Sequence, residues 1–287
     1  MPDFPFPGLR AKSPVIVGSG RLTGQERTIR RLLAQGAGAV VTPTIHPAPP
    51  EALDERILRL PVGMPGGAAC SKRPVDHWLR MLRSLADASL PVIASVHADS
   101  PAELGMLARA VEITGCPGVE LGISCVDEES DSEDDSPQRV YDDTYETRCW
   151  VELPLSVRVA VGEGLEDRVR AAIAAGADAV TICPRTGGPE PGGTSGHDRA
   201  GPGAGPPVLA AVRRLRRRGF GLPIAARGGV ASGREVVDYL RAGADVVQVD
   251  TAPHTDAYGA LRSLVTGTER VLAGIGTDTG PSAETAP

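Results

Sequence analysis

The segment from Pro117 to Asp127, PGVELGISCVD, places two nucleophilic side chains, Ser124 and Cys125, directly after a short apolar run. Such a run predicts a buried strand, and enzymes built on parallel sheets carry their chemistry at the carboxyl ends of the strands. A thiol in that position is a candidate acid or base, whereas a single cysteine is usually a small buried hydrophobic residue. From this segment alone, both interpretations of Cys125 are equally supported.

Composition and charge exclude several classes of protein. The 287 residues are 41% hydrophobic but only 3% aromatic, and the formal net charge is −6, which argues against nucleic-acid binding. The chain has neither a secretory signal pattern nor an apolar run of the about 20 residues that cross a membrane. Five cysteines without a CxxC pair or a histidine at ligand spacing indicate neither a zinc site nor disulfides. We therefore expect a cytoplasmic protein that binds no metal, nucleic acid or membrane.

Apolar runs that alternate with helical patterns predict the architecture. Right-handed crossovers close eight such runs into a (β/α)8 barrel, which we expect to be a single domain over residues 1–275, followed by a disordered tail at 276–287. A doubly wound open sheet is the alternative, but no GxGxxG follows the first run. The predicted strands cover residues 13–20, 39–42, 91–96, 119–123, 155–161, 179–183, 222–226 and 246–249. The predicted helices cover residues 22–35, 75–86, 101–113, 164–175, 208–218 and 234–242.

Two stretches predict loops. After the fourth strand no clear helical pattern follows; instead, residues 127–135 form an acidic segment in which Glu128 to Asp135 contain six acids. A run of this charge predicts a solvated, mobile loop beside Cys125, with a lid or a partner-docking segment as the alternative. The stretch 185–207 is rich in glycine and proline and predicts a long loop at the catalytic mouth.

Five stretches, taken in order, resemble the dihydroorotate dehydrogenases, which are FMN-dependent (β/α)8 barrels, and especially the soluble class of that family. The resemblance spans about residues 13 to 265. The matching stretches are PVIVGSG (14–20), AVVTPTI (39–45), VELGISC (119–125), GGTSG (192–196) and ARGGVASG through VQVDTA (226–252).

The resemblance implies an FMN site and a catalytic group. Cys125, with Ser124 beside it, stands where the family's soluble class has the general base that removes a carbon-bound proton. Arg158 stands where the family has a lysine next to the flavin, and a guanidinium there can stabilise negative charge on the reduced ring. An alternative for Arg158 is an ion pair at the edge of the core. The residues implied to bind FMN are Gly18, Ser19, Gly20, Thr42, Arg158, Gly196, Arg227, Gly228, Gly229, Asp250 and Thr251.

Several departures from the family pattern bear on the substrate. Pro43 replaces a lysine, and the asparagines that hold the pyrimidine are absent; a site without those groups cannot hold that ring. Asp250 replaces a glycine at the phosphate turn, where its carboxylate repels phosphate unless Arg227 compensates. Alternatively, Asp250 points away, accepts from a ribityl hydroxyl, or marks a barrel that no longer holds FMN. The positions that lack the asparagines are Gly66, Gly122, Asp127 and Pro184.

Two functions remain open on these grounds. The first is an FMN-dependent oxidoreductase, a homodimer by family analogy, that acts on a carbon–carbon bond of a small molecule other than dihydroorotate. The second is a non-redox or catalytically silent barrel of the same type that binds another ligand or a partner subunit. Pro43, Asp250 and the missing asparagines favour the second, and the flavin-site matches with Cys125 favour the first.

Overall fold

A computed structural model describes residues 4–48, 64–66, 71–123, 135–184, 198–200, 205–249 and 256–277. Eight parallel strands form a closed barrel, which confirms the (β/α)8 prediction and excludes the open sheet. In chain order the strands are β1 (Phe4–Phe6), β2 (Leu9–Ala11), β3 (Val15–Val17), β4 (Ala39–Val41), β5 (Met64–Gly66), β6 (Val92–Val96), β7 (Gly118–Leu121), β8 (Leu155–Ala160), β9 (Ala179–Cys183), β10 (Asp198–Ala200), β11 (Ile224–Arg227) and β12 (Val246–Val249). The barrel consists of β3, β4, β6, β7, β8, β9, β11 and β12, and β12 pairs with β3 to close the ring.

Eight α-helices are present in the described part of the chain, and most surround the barrel as the sequence predicts. The helix after β7 was not predicted, because its buried face is mostly polar and therefore lacks the apolar period of a packed helix. The last helix lies outside the predicted helix ranges, and it includes the first two residues of the predicted tail. The helices are α1 (Glu26–Ala34), α2 (Val75–Asp87), α3 (Pro101–Ile113), α4 (Pro137–Trp150), α5 (Leu165–Ala174), α6 (Gly205–Arg217), α7 (Gly233–Ala242) and α8 (Ala257–Thr277).

The amino-terminal end of the barrel is covered by the antiparallel pair β1–β2, which was likewise not predicted. Phe6 and Leu9 of this hairpin pack in one apolar cluster with inward residues of the barrel. These inward residues are small or branched, as expected for a barrel interior filled by side chains. They are Ile16, Ala39, Val41, Ile93, Ala179, Ala225 and Val246. The hairpin therefore leaves the opposite, carboxyl end of the strands for a site.

A repeated sequence motif, AGAD at residues 175–178 and 242–245, connects a helix to the next strand and helps to align neighbouring barrel strands. Gly176 and Gly243 adopt φ of 96° and 108°, the left-handed conformation with which glycines end helices, and they follow α5 and α7. The aspartate two residues later then accepts from the backbone N–H of a neighbouring strand: Asp178 Oδ2 from Leu155 at 2.9 Å, and Asp245 Oδ2 from Ile224 at 2.8 Å. The phrase AGAD thus ends a helix and fixes the start of two adjacent strands.

None of the helices in the described ranges is long and apolar enough to cross a lipid bilayer.

Candidate functional site

The predicted site residues that the structure describes lie at the carboxyl ends of four barrel strands. Gly18, Ser19 and Gly20 follow β3, Thr42 follows β4, Arg158 is near the end of β8, and Arg227, Gly228 and Gly229 end β11. Ser124, Cys125, Gly196, Asp250 and Thr251 lie outside the described residues, as does Asp127. The barrel therefore brings the described part of the predicted site to one face, although these residues are up to 211 positions apart (18 to 229).

The turn after β3 carries a buried hydroxyl that has no hydrogen-bond partner among the described residues. Gly18 N–H continues the ladder by donating to Val249 O at 3.0 Å. Ser19 is 2% exposed, and its Oγ has no partner. A Cβ built on Gly20 would meet no atom of the described residues within 4 Å, so these residues leave open space next to this glycine. Both features suit a turn that passes beneath a bound ligand.

Arg227 joins the end of β11 to the turn after β3. Its side chain is 6% exposed, and Nη2 donates to Ser19 O at 3.4 Å. The next residues, Gly228 and Gly229, have φ of 124° and 67°, which L side chains rarely adopt. Loops after strands seven and eight of such barrels often bind phosphate through backbone N–H groups. β11 is the seventh barrel strand, so this turn occupies that position.

Tyr239 of α7 is a residue that sequence reasoning missed. Its hydroxyl lies 2.9 Å from Gly228 O and 3.0 Å from Gly205 O, and its single proton is shared between these two carbonyls. It thereby connects the turn after β11 to the first residue of α6, which follows the predicted Gly196 loop. Burial raises the pKa of Tyr239, so the hydroxyl keeps its proton and remains a donor at neutral pH.

Pro43, which replaces the family lysine, lies in a bulge of the β4 ladder. Val41 pairs with Ile93 and Ile45 pairs with Val96, so β4 uses one residue more than β6 over this stretch. Proline has no N–H to donate, and the Thr42 hydroxyl takes part in the ladder by accepting from Ser95 N–H at 3.1 Å. The hydroxyl of the predicted cofactor residue Thr42 is therefore engaged within the strand pair.

Beyond the bulge, the Thr44 hydroxyl lies 3.0 Å from Ser95 Oγ. Arg158 Nη2 donates to Thr44 Oγ1 at 3.5 Å, a long bond, and the Arg158 side chain is 4% exposed. The structure thus places Arg158 as an inward, buried cation at the mouth of the barrel. A short polar chain connects it to β4 and β6.

A polar layer crosses the barrel interior below the mouth, where such barrels usually carry branched apolar residues. Glu120 of β7 is fully buried, and its Oε2 accepts from Thr181 Oγ1 at 2.7 Å and from Gln248 Nε2 at 2.8 Å. Glu120 Oε1 and Gln248 Oε1 have no partner among the described residues. The signal was present in the sequence, because all three residues occupy alternate, inward positions of apolar strands.

His46, His97 and Asp99 form a cluster that sequence reasoning also missed, because they come from two different loops. One potential ligand atom of each lies within 4.8 Å of the other two, a spacing that could suit a metal ion. However, Ala48 N–H donates to His46 Nδ1 at 3.0 Å, so the proton of the neutral ring is on Nε2, which faces Asp99 Oδ1 at 3.4 Å. Metal-binding histidines usually donate through their second nitrogen, so this arrangement favours a histidine–aspartate pair over a metal site.

Asp143 and Arg139 of α4 lie next to this cluster. Arg139 Nε donates to Asp143 Oδ2 at 2.7 Å, and its Nη2 donates to Asp99 O at 3.2 Å. Burial raises the pKa of Asp143, and the Arg139 guanidinium offsets part of that effect. A buried acid on the inner face of α4 therefore helps to position the loop that carries His97 and Asp99.

The prediction that the acidic segment 127–135 is solvated is wrong at its last residue. Asp135 is 7% exposed, and its Oδ2 lies 3.5 Å from Arg168 Nε of α5. Arg168 also donates to Ala160 O at 2.9 Å, at the carboxyl end of β8. The rest of this segment, residues 127–134, lies outside the described residues, as does Cys125. The carboxyl-terminal end of the segment is thus attached to the barrel by a buried ion pair.

The described residues fit the FMN implied by the resemblance. The unpartnered Ser19 hydroxyl and the open space above Gly20 leave room and a hydrogen-bonding group beneath a planar ring. Arg158 and Arg227 provide two buried cations at the same mouth. The positive φ of Gly228 and Gly229 lets the backbone approach a phosphate closely.

The chain is similar in sequence to known catalytic subunits of dihydroorotate dehydrogenase B. The chain is 30% identical over 301 residues to the catalytic subunit of dihydroorotate dehydrogenase B (NAD(+)) from Methanopyrus kandleri, covering 94% of this chain and 90% of that protein. The catalytic subunit of the same name from Methanocella arvoryzae is 27% identical over 280 residues, covering 92% and 91% of the two chains. That from Pyrococcus horikoshii is 27% identical over 279 residues, covering 91% and 89%. No model of a protein family matches the chain.

The similarity covers about nine tenths of each of these relatives, and the chain forms a closed eight-stranded parallel barrel. The chain belongs to the dihydroorotate dehydrogenase family.

Proposed function

We propose that the protein is an FMN-dependent oxidoreductase that acts on a carbon–carbon bond of a small molecule other than dihydroorotate. The observation that carries this proposal is the convergence of Ser19, Arg158, Arg227 and the Gly228–Gly229 turn at one mouth of the barrel. FMN bound there would supply the electron acceptor for a hydride. The relatives are named as NAD(+)-dependent catalytic subunits, which supports a redox role and a partner that receives the electrons.

Each predicted site residue has a defined part in this proposal. The ring would lie over Gly18, Ser19 and Gly20, and Arg158 would stabilise the negative charge that develops on it. The phosphate would be held by backbone groups of Gly196, Gly228, Gly229 and Thr251, with Arg227 offsetting Asp250. Cys125 would take the proton from the carbon next to the one that loses hydride, so that a carbon–carbon double bond forms.

The polar groups near the mouth support a substrate that is not dihydroorotate. Gly66, Gly122 and Pro184 replace amide side chains that the family uses to hold the pyrimidine, and none of the three has a side-chain donor. Pro43 removes a cation and lies in the bulge of β4, and Thr44 beyond the bulge accepts from Arg158. A site without these donors leaves the polar edges of a pyrimidine ring unpaired.

The experiment combines a spectrum with a substrate comparison. The purified protein should show the visible absorption of bound flavin, and FMN should appear in the supernatant after denaturation. Dihydroorotate should reduce this flavin at least about 100-fold more slowly than the physiological substrate does, a gap typical of a site that lacks the required hydrogen bonds. Rapid reduction by dihydroorotate would refute the substrate proposal while leaving the flavin proposal intact.

A second candidate function is a barrel of this family that has lost redox chemistry. Asp250 at the phosphate turn favours it, because a carboxylate about 4 Å from phosphate costs about 4 kcal/mol at an effective dielectric constant of 20. Under this alternative the purified protein is colourless and is not reconstituted by added FMN. That result would eliminate the oxidoreductase and leave a role in binding another ligand or a partner subunit.

By analogy with the family, we also propose that the protein is a homodimer. Size-exclusion chromatography with light scattering tests this directly, and a mass of about twice 29.7 kDa is expected.

A further inference from the structure

Two histidines stand at the mouth of the barrel, outside the set of residues implied to bind FMN. His46 follows β4, and His97 follows β6, which is the neighbouring strand in the ring. His97 N–H donates to Ile45 O at 3.0 Å, so the parallel ladder between the two strands continues to this level. The centroids of the two imidazole rings lie 5.3 Å apart, at an interplanar angle of 48°. The two rings therefore form a pair at the end of the strands that also carries Arg158.

The alternation of side chains along β6 places His97 on the inner side of the barrel. Ile93 packs in the apolar cluster of the barrel interior, whereas Val96 and Ala98 pack in the cluster that includes the surrounding helices. His97 is four residues after Ile93 and therefore shares its side. The imidazole of His97 thus faces the mouth, directly above Ser95.

Gly122 lies beside His97 on the next strand and contributes no side chain. Its N–H donates to Val96 O at 2.9 Å, which continues the pairing of β6 with β7. Gly122 is two residues after the inward Glu120, so a side chain at this position would also face the interior. It stands where the family resemblance implies an asparagine that holds the pyrimidine. The imidazole of His97 therefore lies next to the position of a missing amide.

His46 is held in place through both of its ring nitrogens. Ala48 N–H donates to Nδ1 at 3.0 Å, and Nε2 faces Asp99 Oδ1 at 3.4 Å. The side chain is also buried. Because both nitrogens are engaged by the protein, His46 supports the ring of His97 and does not itself bind a ligand.

His97 differs from His46 in having an unused ring nitrogen. Its Nδ1 is buried and has no hydrogen-bond partner in the described part of the chain. An unpaired buried N–H is rarer in proteins than an unpaired buried acceptor, so we assign the proton of the neutral ring to Nε2. The side chain as a whole is partly exposed. Nε2–H is thus a donor that the ring can offer to a ligand at the mouth.

The charges around the two rings favour a neutral acceptor over an anion. Asp143 of α4 interacts electrostatically with His97, but Arg139 donates to Asp143 Oδ2 at 2.7 Å and offsets its charge. Asp99 remains as a carboxylate beside the rings, with an oxygen within 4.8 Å of a ring nitrogen of each. The Arg158 cation is assigned to the flavin ring. A carboxylate ligand would therefore meet a second negative charge here, whereas a carbonyl oxygen would not.

We propose that His97 donates through Nε2 to the carbonyl oxygen of the substrate, and that the substrate is a neutral carbonyl compound. This inference rests on the proposed function and names its substrate class. The carbonyl is attached to the carbon that loses its proton, because such a C–H bond is acidic enough for a side-chain base. Dihydroorotate carries a carboxylate and is disfavoured on the same ground.

The role of His97 in the oxidation is electrostatic. The base takes the proton from the carbon next to the carbonyl, and the electron pair moves toward the carbonyl oxygen, where His97 stabilises the developing negative charge. The following carbon gives a hydride to the flavin, the electron pair returns, and a carbon–carbon double bond forms. The substrate thus loses one proton and one hydride, and His97 keeps its own proton.

The first test measures binding of two probes of similar shape, cyclohexanone and cyclohexanecarboxylate, by titration calorimetry on the full chain as purified. The wild type should bind the ketone at least about tenfold more tightly than the carboxylate. His97→Leu removes the donor at similar volume and should bind the ketone about tenfold more weakly. His97→Gln keeps an N–H near the place of Nε2 and should stay within about threefold of the wild type. His77→Leu changes a partly exposed histidine of α2 and is the matched control.

A kinetic measurement separates this role from a structural one. Cyclohexenone should reoxidise the dithionite-reduced enzyme, which is the reverse of the proposed reaction. His97→Leu should slow this reoxidation about 100-fold, the effect of removing a donor to a developing oxyanion. The FMN content and melting temperature of His97→Leu should match those of His77→Leu, because the donor acts on the substrate and not on the fold.

The inference is overturned if the wild type binds the ketone no better than the carboxylate, or if His97→Leu matches the wild type in both measurements. An equal loss in His97→Gln and His97→Leu would also overturn it, since the donor would then be irrelevant. If the purified protein lacks flavin and cannot be reconstituted, the proposed oxidoreductase fails, and calorimetry still decides whether His97 binds a carbonyl. A flavoprotein without preference for the ketone would overturn this inference alone.

Discussion

Gln248 donates to Glu120 at 2.8 Å across the interior of the barrel, although the two residues are 128 positions apart in the chain. Their strands, β12 and β7, are four places apart in the eight-membered ring and therefore face each other. Thr181 adds a second donor to the same carboxylate oxygen. The middle of the barrel is thus held by hydrogen bonds between opposite strands, directly below the candidate site.

Replacing Glu120 separates the contribution of its shape from that of its charge. Glu120→Ala should lower the free energy of unfolding by about 2 to 4 kcal/mol, because it leaves Thr181 and Gln248 unpaired. Glu120→Gln should stay within about 1 kcal/mol of the wild type, since the amide has nearly the same volume and its oxygen can still accept from Thr181 and Gln248. Denaturant unfolding measures both. An equally large loss in Glu120→Gln would show that the interior requires the negative charge.

Cys125→Ser tests the proposed base. The variant should keep its flavin but slow flavin reduction by substrate about 100-fold or more, because a serine hydroxyl is a poor base at neutral pH. Stopped-flow absorbance follows the reduction, and Cys149→Ser, which changes an exposed thiol on α4, serves as the control. Unchanged kinetics would return Cys125 to the role of a small hydrophobic residue.

The phosphate end is tested by a double-mutant cycle between Arg227 and Asp250. Arg227→Ala should weaken FMN binding strongly, and Asp250→Gly should tighten FMN or leave it unchanged. The double variant should recover much of the loss, with a coupling of about 1 to 3 kcal/mol. Titration of the apoprotein with FMN gives the four dissociation constants. If Asp250→Gly weakens binding, the aspartate contacts the ligand and the repulsion argument is wrong.

Tyr239→Phe tests whether the Gly228 turn must be held for FMN to bind. Removing the hydroxyl leaves the carbonyls of Gly228 and Gly205 without this donor. We expect the free energy of unfolding to fall by about 1 to 2 kcal/mol and FMN to bind about tenfold more weakly. Tyr141→Phe removes a hydroxyl from a half-buried ring on α4 and should change neither quantity. Equal FMN affinity in Tyr239→Phe and the wild type would show that the turn keeps its shape without Tyr239.

Asp143 should give the folding stability a specific pH dependence. Because burial raises the pKa of Asp143 in the folded state above its ordinary value of 3.8, the folded protein holds this proton more tightly than the unfolded chain does. Stability from this group is therefore present at low pH and is lost as the pH rises from about 3.8 through the folded pKa. Asp143→Asn does not titrate, so its stability relative to the wild type should increase over that interval. Melting curves at a series of pH values measure the difference, and a constant difference would contradict the raised pKa.

The sequence by itself determined the architecture, because that information is local. Runs such as Val92–Val96 and Ala179–Cys183 are short and apolar, and the AGAD phrases end helices at glycines that adopt positive φ. Burial on both faces of each strand and a helix between strands leave a closed parallel barrel as the simplest solution. The order of the strands then places Ser19, Arg158 and Arg227 on one face of the barrel without any knowledge of their contacts. The sequence pattern did not predict α4, because the buried face of this helix carries Asp143, Thr144 and Thr147 rather than an apolar stripe.

The pairing of side chains was decided only by the tertiary structure. The bond between Glu120 and Gln248 depends on which strands lie opposite each other once the ring closes, and no local pattern encodes that distance. The bulge at Pro43 depends on the register of β4 against β6, and it determines that Thr44 meets Ser95 and Arg158. His46 and His97 meet for the same reason, since parallel neighbours bring the ends of two strands together whatever their separation in the chain.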